Sequence, residues 1–244
     1  MKRVIKKSIV FLIMFVWMFS YGAFAISNDN INFQNLTIDD ALSQSLAEYI
    51  YQDSNGYIWI GTNDGLNRYN GNEFKVYKNI KNDENSISNN MISSIVEDNE
   101  KNLWIGTDGG LNKMDLNTGN ISRYLVSEED KLYSNTVVDE LMIDSKGRLW
   151  VCTINGLNLY DRKNDKFIKV AEEYLENKGL QAITEDNKGN IWVATRDGLF
   201  KYNYEEDTVK AFYHNEEDEN TISENNVFSL YYSKGKYGLL QIKD

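Results

Sequence analysis

Short runs in which apolar and polar residues alternate recur along this chain, with turn-forming residues between them. Tyr49 to Asp53, Ile92 to Asp98, Leu141 to Asp144 and Ala182 to Asp186 each alternate in this way and end on Asp. A short turn follows, with Gly at 56, 147 and 189 and Lys101 in the second case. Next comes a run built on tryptophan: Tyr57-Ile-Trp-Ile-Gly-Thr62, Leu103-Trp-Ile-Gly-Thr107, Leu149-Trp-Val-Cys-Thr153 and Ile191-Trp-Val-Ala-Thr195. A tight turn closing on Gly-Leu leads into a third run, such as Leu66 to Tyr69, and a fourth, such as Phe74 to Tyr77. Period-two runs this short, bounded by Asn, Asp and Gly, predict β-strands. The 3.6-residue period of a helix is missing from these units.

The tryptophans of these four runs stand at 59, 104, 150 and 192, at intervals of 45, 46 and 42 residues. Four strands within each interval make an antiparallel meander, and a repeat of this length marks an array of such units. One meander exposes an apolar face on each side and is unstable alone, whereas radial stacking buries those faces. The expected fold is therefore all-β, a β-propeller with blades at about 47–78, 92–124, 137–170 and 180–213 and part of a fifth at 227–244. The turns Asn63-Asp64-Gly65, Asp108-Gly109-Gly110, Ile154-Asn155-Gly156 and Arg196-Asp197-Gly198 call for positive φ near their ends. Trp59, Trp104, Trp150 and Trp192 are expected to pack between blades rather than to offer a sugar-stacking platform.

The strings Ile-Trp-Ile-Gly-Thr-Asn-Asp-Gly-Leu-Asn-Arg-Tyr-Asn-Gly (58–71) and Leu-Trp-Ile-Gly-Thr-Asp-Gly-Gly-Leu-Asn (103–112) closely resemble the two-component regulator propeller repeat. So does the linker from Asn85 to Asp98. WD40 repeats share the period, but their Gly-His and Trp-Asp marks are not here. The resemblance implies the extracytoplasmic sensor part of a larger receptor, followed by a membrane span, often a β-sandwich, and a histidine kinase or diguanylate cyclase output. Neither a phosphoacceptor helix nor a Gly-Gly-Asp/Glu-Glu-Phe motif occurs in this sequence, so no catalytic output and no cofactor are expected of it. Within the opening segment 26–46, Ile31 to Thr37 and Asp39 to Leu42 resemble the family opening, whose first segment supplies the outermost strand of the last blade. Ala41 stands where that opening usually has Gly.

Both ends of the chain carry further expectations. Lys-Arg-Val-Ile-Lys-Lys at 2–7, the apolar run Ile9 to Phe19 and Ala23-Phe24-Ala25 predict a signal peptide over 1–25, with an uncleaved anchor as the alternative. Either places the rest outside the cytoplasm: periplasmic, secreted, on the cell surface or membrane-anchored. At the other end, Ile222 to Leu230 opens a fifth repeat, yet Tyr237-Gly-Leu-Leu-Gln-Ile-Lys-Asp244 stands where a Trp strand is due. One permitted codon choice, read one base earlier, encodes Ile-Trp-Ile-Ala-Thr-Asp-Lys-Gly. The expectation is a reading frame interrupted near Lys236, with the remaining blades, membrane segment and output domains belonging to a longer parent.

Charge and composition narrow the chemistry. The 26 Lys and Arg against 37 Asp and Glu give −11, and loss of Lys2, Arg3, Lys6 and Lys7 with the signal would make it −15, which argues against nucleic acid. One cysteine (Cys152) and one histidine (His214) preclude an intrachain disulfide and a Cys/His metal cluster. Asp53-Ser-Asn-Gly56 and Asp186-Asn-Lys-Gly189 lack the grammar of a calcium loop and read as hairpin turns, so no metal is expected. The acid pairs Glu128-Glu129, Glu172-Glu173, Glu205-Glu206 and Glu216-Glu217 read as solvated loop charge, and His214 as an exposed linker residue.

The favoured function is a sensor that binds a small polar ligand, such as an oligosaccharide, on the propeller face bearing the second-to-third-strand turns and the blade linkers. Its candidate ligand residues are Asn63, Asp64, Asp108, Asn155, Arg196 and Asp197, with linkers around 79–91 and 125–136. The alternatives are an exported protein-interaction scaffold and, third, an exported carboxylate-dependent hydrolase or lyase, which clustered inner acids with raised pKa would favour.

Overall fold

The computed structural model describes residues 36–124, 137–233 and 235–241. The predicted signal peptide, the first residues of the opening segment, Glu128-Glu129 and the linker 125–136 lie outside the described residues. Among the described residues no helix is long and apolar enough to cross a membrane.

Four antiparallel meanders follow one another. The first comprises β1 (Ala47–Gln52), β2 (Ile58–Thr62), β3 (Gly65–Tyr69) and β4 (Phe74–Tyr77). The second comprises β5 (Ile92–Glu97), β6 (Asn102–Thr107), β7 (Gly110–Asp115) and β8 (Ile121–Tyr124). The third has β9 (Val138–Ile143), β10 (Leu149–Thr153), β11 (Gly156–Asp161) and β12 (Lys166–Val170). The fourth has β13 (Leu180–Glu185), β14 (Ile191–Thr195), β15 (Gly198–Asn203) and β16 (Thr208–Phe212). β17 (Val227–Ser233) and β18 (Lys236–Gln241) pair as a two-stranded fifth sheet. Residues 236–241, where the sequence broke the Trp pattern, thus still form a second strand. Tyr237 packs its ring 4.4 Å from that of Trp192 and donates to Asp186 at 3.1 Å.

The first strands of successive blades face one another, β1 to β5 to β9 to β13 to β17. Each tryptophan lies under the first strand of the next blade. Trp59 clusters with Ile92 and Ile95, Trp104 with Val138 and Leu141, Trp150 with Leu180 and Ile183, and Trp192 with Val227 and Leu230. The first three are wholly buried. Ile50, at the corresponding place on β1, is 64% exposed. The residue two places after each Trp must be small, because a Cβ on Gly61 or Gly106 would come within 2.7 Å of Ile92 or Val138 in the next blade. Cys152 and Ala194 fill the same position in β10 and β14, both fully buried.

Two polar devices repeat beside this packing. The Asp that ends each first strand holds the next turn and the indole together. Asp53, Asp98, Asp144 and Asp186 each accept two backbone N–H bonds from the turn on Oδ1 and the Trp Nε1 on Oδ2, at 2.8 to 3.0 Å. The supposed calcium-loop carboxylates are thereby committed to turns. The second device is a clamp on the linkers. Asn67 accepts from Ser43 N and donates to Ser43 Oγ, whose hydroxyl also meets Thr62. Asn112, Ser88 and Thr107 repeat it. Phe200 takes the Asn register in the fourth blade. In the third, Asn158 Oδ1 is buried and has no partner among the described residues, and Ser134, the residue at the matching spacing, lies outside them.

Glu172-Glu173 opens a four-residue helix, α1 (Glu172–Leu175), in the linker between β12 and β13; both glutamates are exposed, while Leu175 is buried against the third blade. One local expectation is corrected. His214 is half-buried, with Nδ1 2.9 Å from the Ile222 carbonyl oxygen.

Candidate functional site

Every first strand begins with a register shift that leaves one residue unpaired: Glu48, Ser93, Asp139, Gln181 and Phe228. A β-bulge of this kind turns a side chain out of the ladder, and bulges recur beside binding sites for that reason. The bulges lie at the same end of the blades as the second-to-third-strand turns and the linkers. Asp108 N bonds to Met91 O, Gly65 N to Asn90 O and Gly198 N to Asn225 O.

Three of these bulge residues, Asp139, Gln181 and Phe228, line one cavity of about 400 Å³. Ile154 and Arg196, from the β10–β11 and β14–β15 turns, complete it with Val137, Gly179 and Leu180. The volume lies within the range of about 300–1,000 Å³ common to small-molecule sites. Its walls mix apolar surface with few polar groups. Ile154 and Phe228 are 53% and 50% exposed. Gln181 is oriented by a 2.8 Å bond from Nε2 to Asn226 Oδ1, on the linker that enters the fifth sheet.

Arg196 is fixed at its root and free at its tip. Its backbone N–H bonds to Gly179 O and Lys178 O, and its Cδ lies 3.0 Å from where a Cβ on Gly179 would stand. Glycine there leaves the path along which the side chain lies. The guanidinium makes no ion pair or side-chain hydrogen bond among the described residues. Burial pushes the Asp139 carboxyl up to about 6; Arg196 pulls against this and Asp108 adds to it. Burial likewise pushes Glu140 up to about 7, against a hydrogen bond from the Ile183 backbone and with help from Asp139. Glu140, however, lines a separate cavity of about 340 Å³ with Tyr49, Tyr51, Glu97 and Ile183 on the inner strands. The two raised acids are neighbours in sequence and serve different cavities.

The six residues anticipated as ligand contacts are dispersed. Arg196 lines the cavity. Asn155 follows Ile154 in its turn, and Asp108 acts on Asp139 electrostatically without lining the cavity. Asp197 is ion-paired with Lys178 and Asp64 with Lys78. Asn63 bonds to Gln44 and to Glu48, the bulge residue of β1. Asp139, Gln181, Phe228 and Ile154 were not anticipated. A signal for the bulges was present: buried apolar residues three apart (Ile92 and Ile95, Val138 and Leu141, Leu180 and Ile183, Val227 and Leu230) contradict a strict period of two.

Parts of the chain are similar to known proteins. The model for the two component regulator propeller matches residues 42–64, 86–109 and 174–197, each segment running from a linker through the first two strands of a blade into the turn. Histidine kinase P4 of Formosa agariphila is 44% identical over 75 residues, which is 30% of this chain and 6% of that protein. The extracellular domain of the putative hybrid two component system BT4673 from B. thetaiotaomicron aligns at a TM-score of 0.65 and 20% identity, over 75% of this chain and 24% of that one. Virginiamycin B lyase from Staphylococcus aureus aligns at 0.54 and 13% identity, over 80% of this chain and 69% of that one. At such identities the structural likenesses establish the fold, a β-propeller of four-stranded blades. The three matched segments are similar to the two component regulator propeller repeat.

Proposed function

We propose that this chain is the extracytoplasmic, ligand-sensing propeller of a two-component-type receptor, and that it takes a polar ligand such as a glycan in the cavity between the third, fourth and fifth sheets. The observation that carries this reading is the convergence of three bulge side chains, Asp139, Gln181 and Phe228, with the uncommitted guanidinium of Arg196. Hydrogen-bonding groups beside exposed apolar planes suit a sugar ring, which has hydroxyls at its edge and C–H groups on its faces. Signal transfer is proposed to run through blade packing: a ligand bridging Asp139, Gln181 and Phe228 favours one spacing of three neighbouring first strands over another. Catalysis is assigned to other parts of a longer receptor. The test is a glycan array probed with the protein and with Phe228→Ala and Asp139→Ala variants. Binding by the parent that both substitutions weaken supports the site; binding indifferent to both refutes it.

The raised carboxyl of Asp139 favours one second reading, a lyase or hydrolase in which it acts as a proton acceptor. An acid poised near pH 6 beside a guanidinium has the chemistry for it. Incubating bound oligosaccharides with the protein and analysing chain length tests this: shortened products support an enzyme, and intact ligand supports a sensor.

A further inference from the structure

The ligand that fits this cavity can be specified further, on the reading that the cavity is the sensing site. Across the four turns that join second to third strands, the residue after the strand's Thr is Asn63, Asp108, Ile154 or Arg196. The five bulge positions hold Glu48, Ser93, Asp139, Gln181 and Phe228. Arg196 is thus the one cation among these nine positions, on a chain of net charge −11. Lys178, whose carbonyl oxygen accepts the Arg196 backbone N–H, is committed to Asp197. Arg196 is held by its own backbone bonds and by the clearance over Gly179, yet its guanidinium has no ion-pair partner among the described residues. A planar fork of N–H donors left unpaired at the edge of a half-apolar cavity matches an oxyanion. The remaining lining requires hydroxyl donors for Asp139 and Gln181 and a flat apolar face for Ile154 and Phe228.

We propose that the sensed ligand is a sugar whose ring carries an oxyanion, carboxylate or sulfate, and that Arg196 selects it by pairing with that group. Asp139 and Gln181 take the ring hydroxyls and Phe228 or Ile154 its face. The selection is local, since the acidic surface at large repels the same ligand, and one charge-assisted pair at a partly desolvated site is enough to change affinity about tenfold or more.

The test is calorimetric titration of the full chain with digalacturonate, a sulfated galactobiose, neutral galactobiose and N-acetylglutamate. The expected result is that one or both acidic sugars bind at least about tenfold more tightly than galactobiose. Arg196→Gln removes that preference, so that acidic and neutral sugars bind the variant with affinities within about twofold of each other, while Arg196→Lys keeps part of it. The two acidic arms distinguish carboxylate from sulfate. Equal affinity for acidic and neutral sugars, a preference that survives Arg196→Gln, binding of N-acetylglutamate as tight as that of the sugars, or no binding of any of the four overturns the proposal. Galactobiose binding that is lost in Phe228→Ala, without any preference for acid, overturns the proposal and leaves the sensing site standing. Sugar binding indifferent to Phe228→Ala and Asp139→Ala removes the site itself.

Discussion

Asp98 accepts the indole N–H of Trp104 on Oδ2 at 2.8 Å, and both side chains are buried. The same carboxylate takes the backbone N–H groups of Glu100 and Asn102, so one side chain fixes the turn and the rotamer of the inter-blade tryptophan together. Asp98→Ala leaves a buried indole N–H and two turn N–H groups without their partner. It is expected to cost about 2–4 kcal/mol, against about 1–2 kcal/mol for Trp104→Phe, which removes one bond and keeps an aromatic ring. Urea midpoints of the two variants check the order.

Acid should attack these turns. Burial works to raise the carboxyls of Asp98 and Asp186, but the bonds from Trp104 and Trp192 and from the neighbouring N–H groups outweigh it, holding Asp98 below the ordinary range and Asp186 down at about 2. A carboxyl whose folded pKa is depressed adds stability above its unfolded pKa, and that stability is lost as pH falls through the folded value. Melting temperature is therefore expected to drop between about pH 4 and 2. Asp186→Asn is expected to flatten that part of the profile.

The inner acids give the opposite slope. Glu140 titrates at about 7 in the fold against an ordinary value of 4.5, so its contribution is full below about 4.5 and is lost as pH rises through 7. Glu140→Gln keeps the shape without the charge. It is expected to stabilise the protein at pH 8 by on the order of 2 kcal/mol and to make little difference at pH 4. Thermal melts of both proteins at the two values read this out.

Ala41 sits at φ 74°, in the left-handed region, closing the 3-10 turn Ile38–Asp40 that Thr37 and Asp40 cap. An L-residue is strained there by about 1–2 kcal/mol, and glycine is not. Ala41→Gly is expected to stabilise the fold by about 0.5–1 kcal/mol once the extra freedom of unfolded glycine is counted, as measured by chemical denaturation.

The architecture was legible because it is repeated: four Trp strands in register, four terminal Asp residues and four Gly-Leu turns each reported the same meander. The site was less legible because it is what the repeats do not share. Bulge positions hold Glu48, Ser93, Asp139, Gln181 and Phe228; their trace in the sequence is the spacing of three between apolar residues such as Ile92 and Ile95, and the pairing register shows which side chain leaves the ladder. Turn residues were anticipated as a class, yet Asp64 and Asp197 are taken by lysines from the same or a neighbouring segment, which spacing along the chain does not reveal. Lys101 shows the same limit. It occupies the place of Gly56, Gly147 and Gly189, and it adopts φ 67° to do so.

The central claim is that ligand meets this protein at the bulges. The most direct measurement is a crystal structure of the protein grown with the tightest-binding sugar from the array. The sugar is expected between Asp139, Gln181, Arg196 and Phe228, with its anionic group on the Arg196 guanidinium. A sugar seated instead at the opposite end of the blades, in the cavity of about 490 Å³ lined by Lys146, Arg162 and Tyr204, would contradict it.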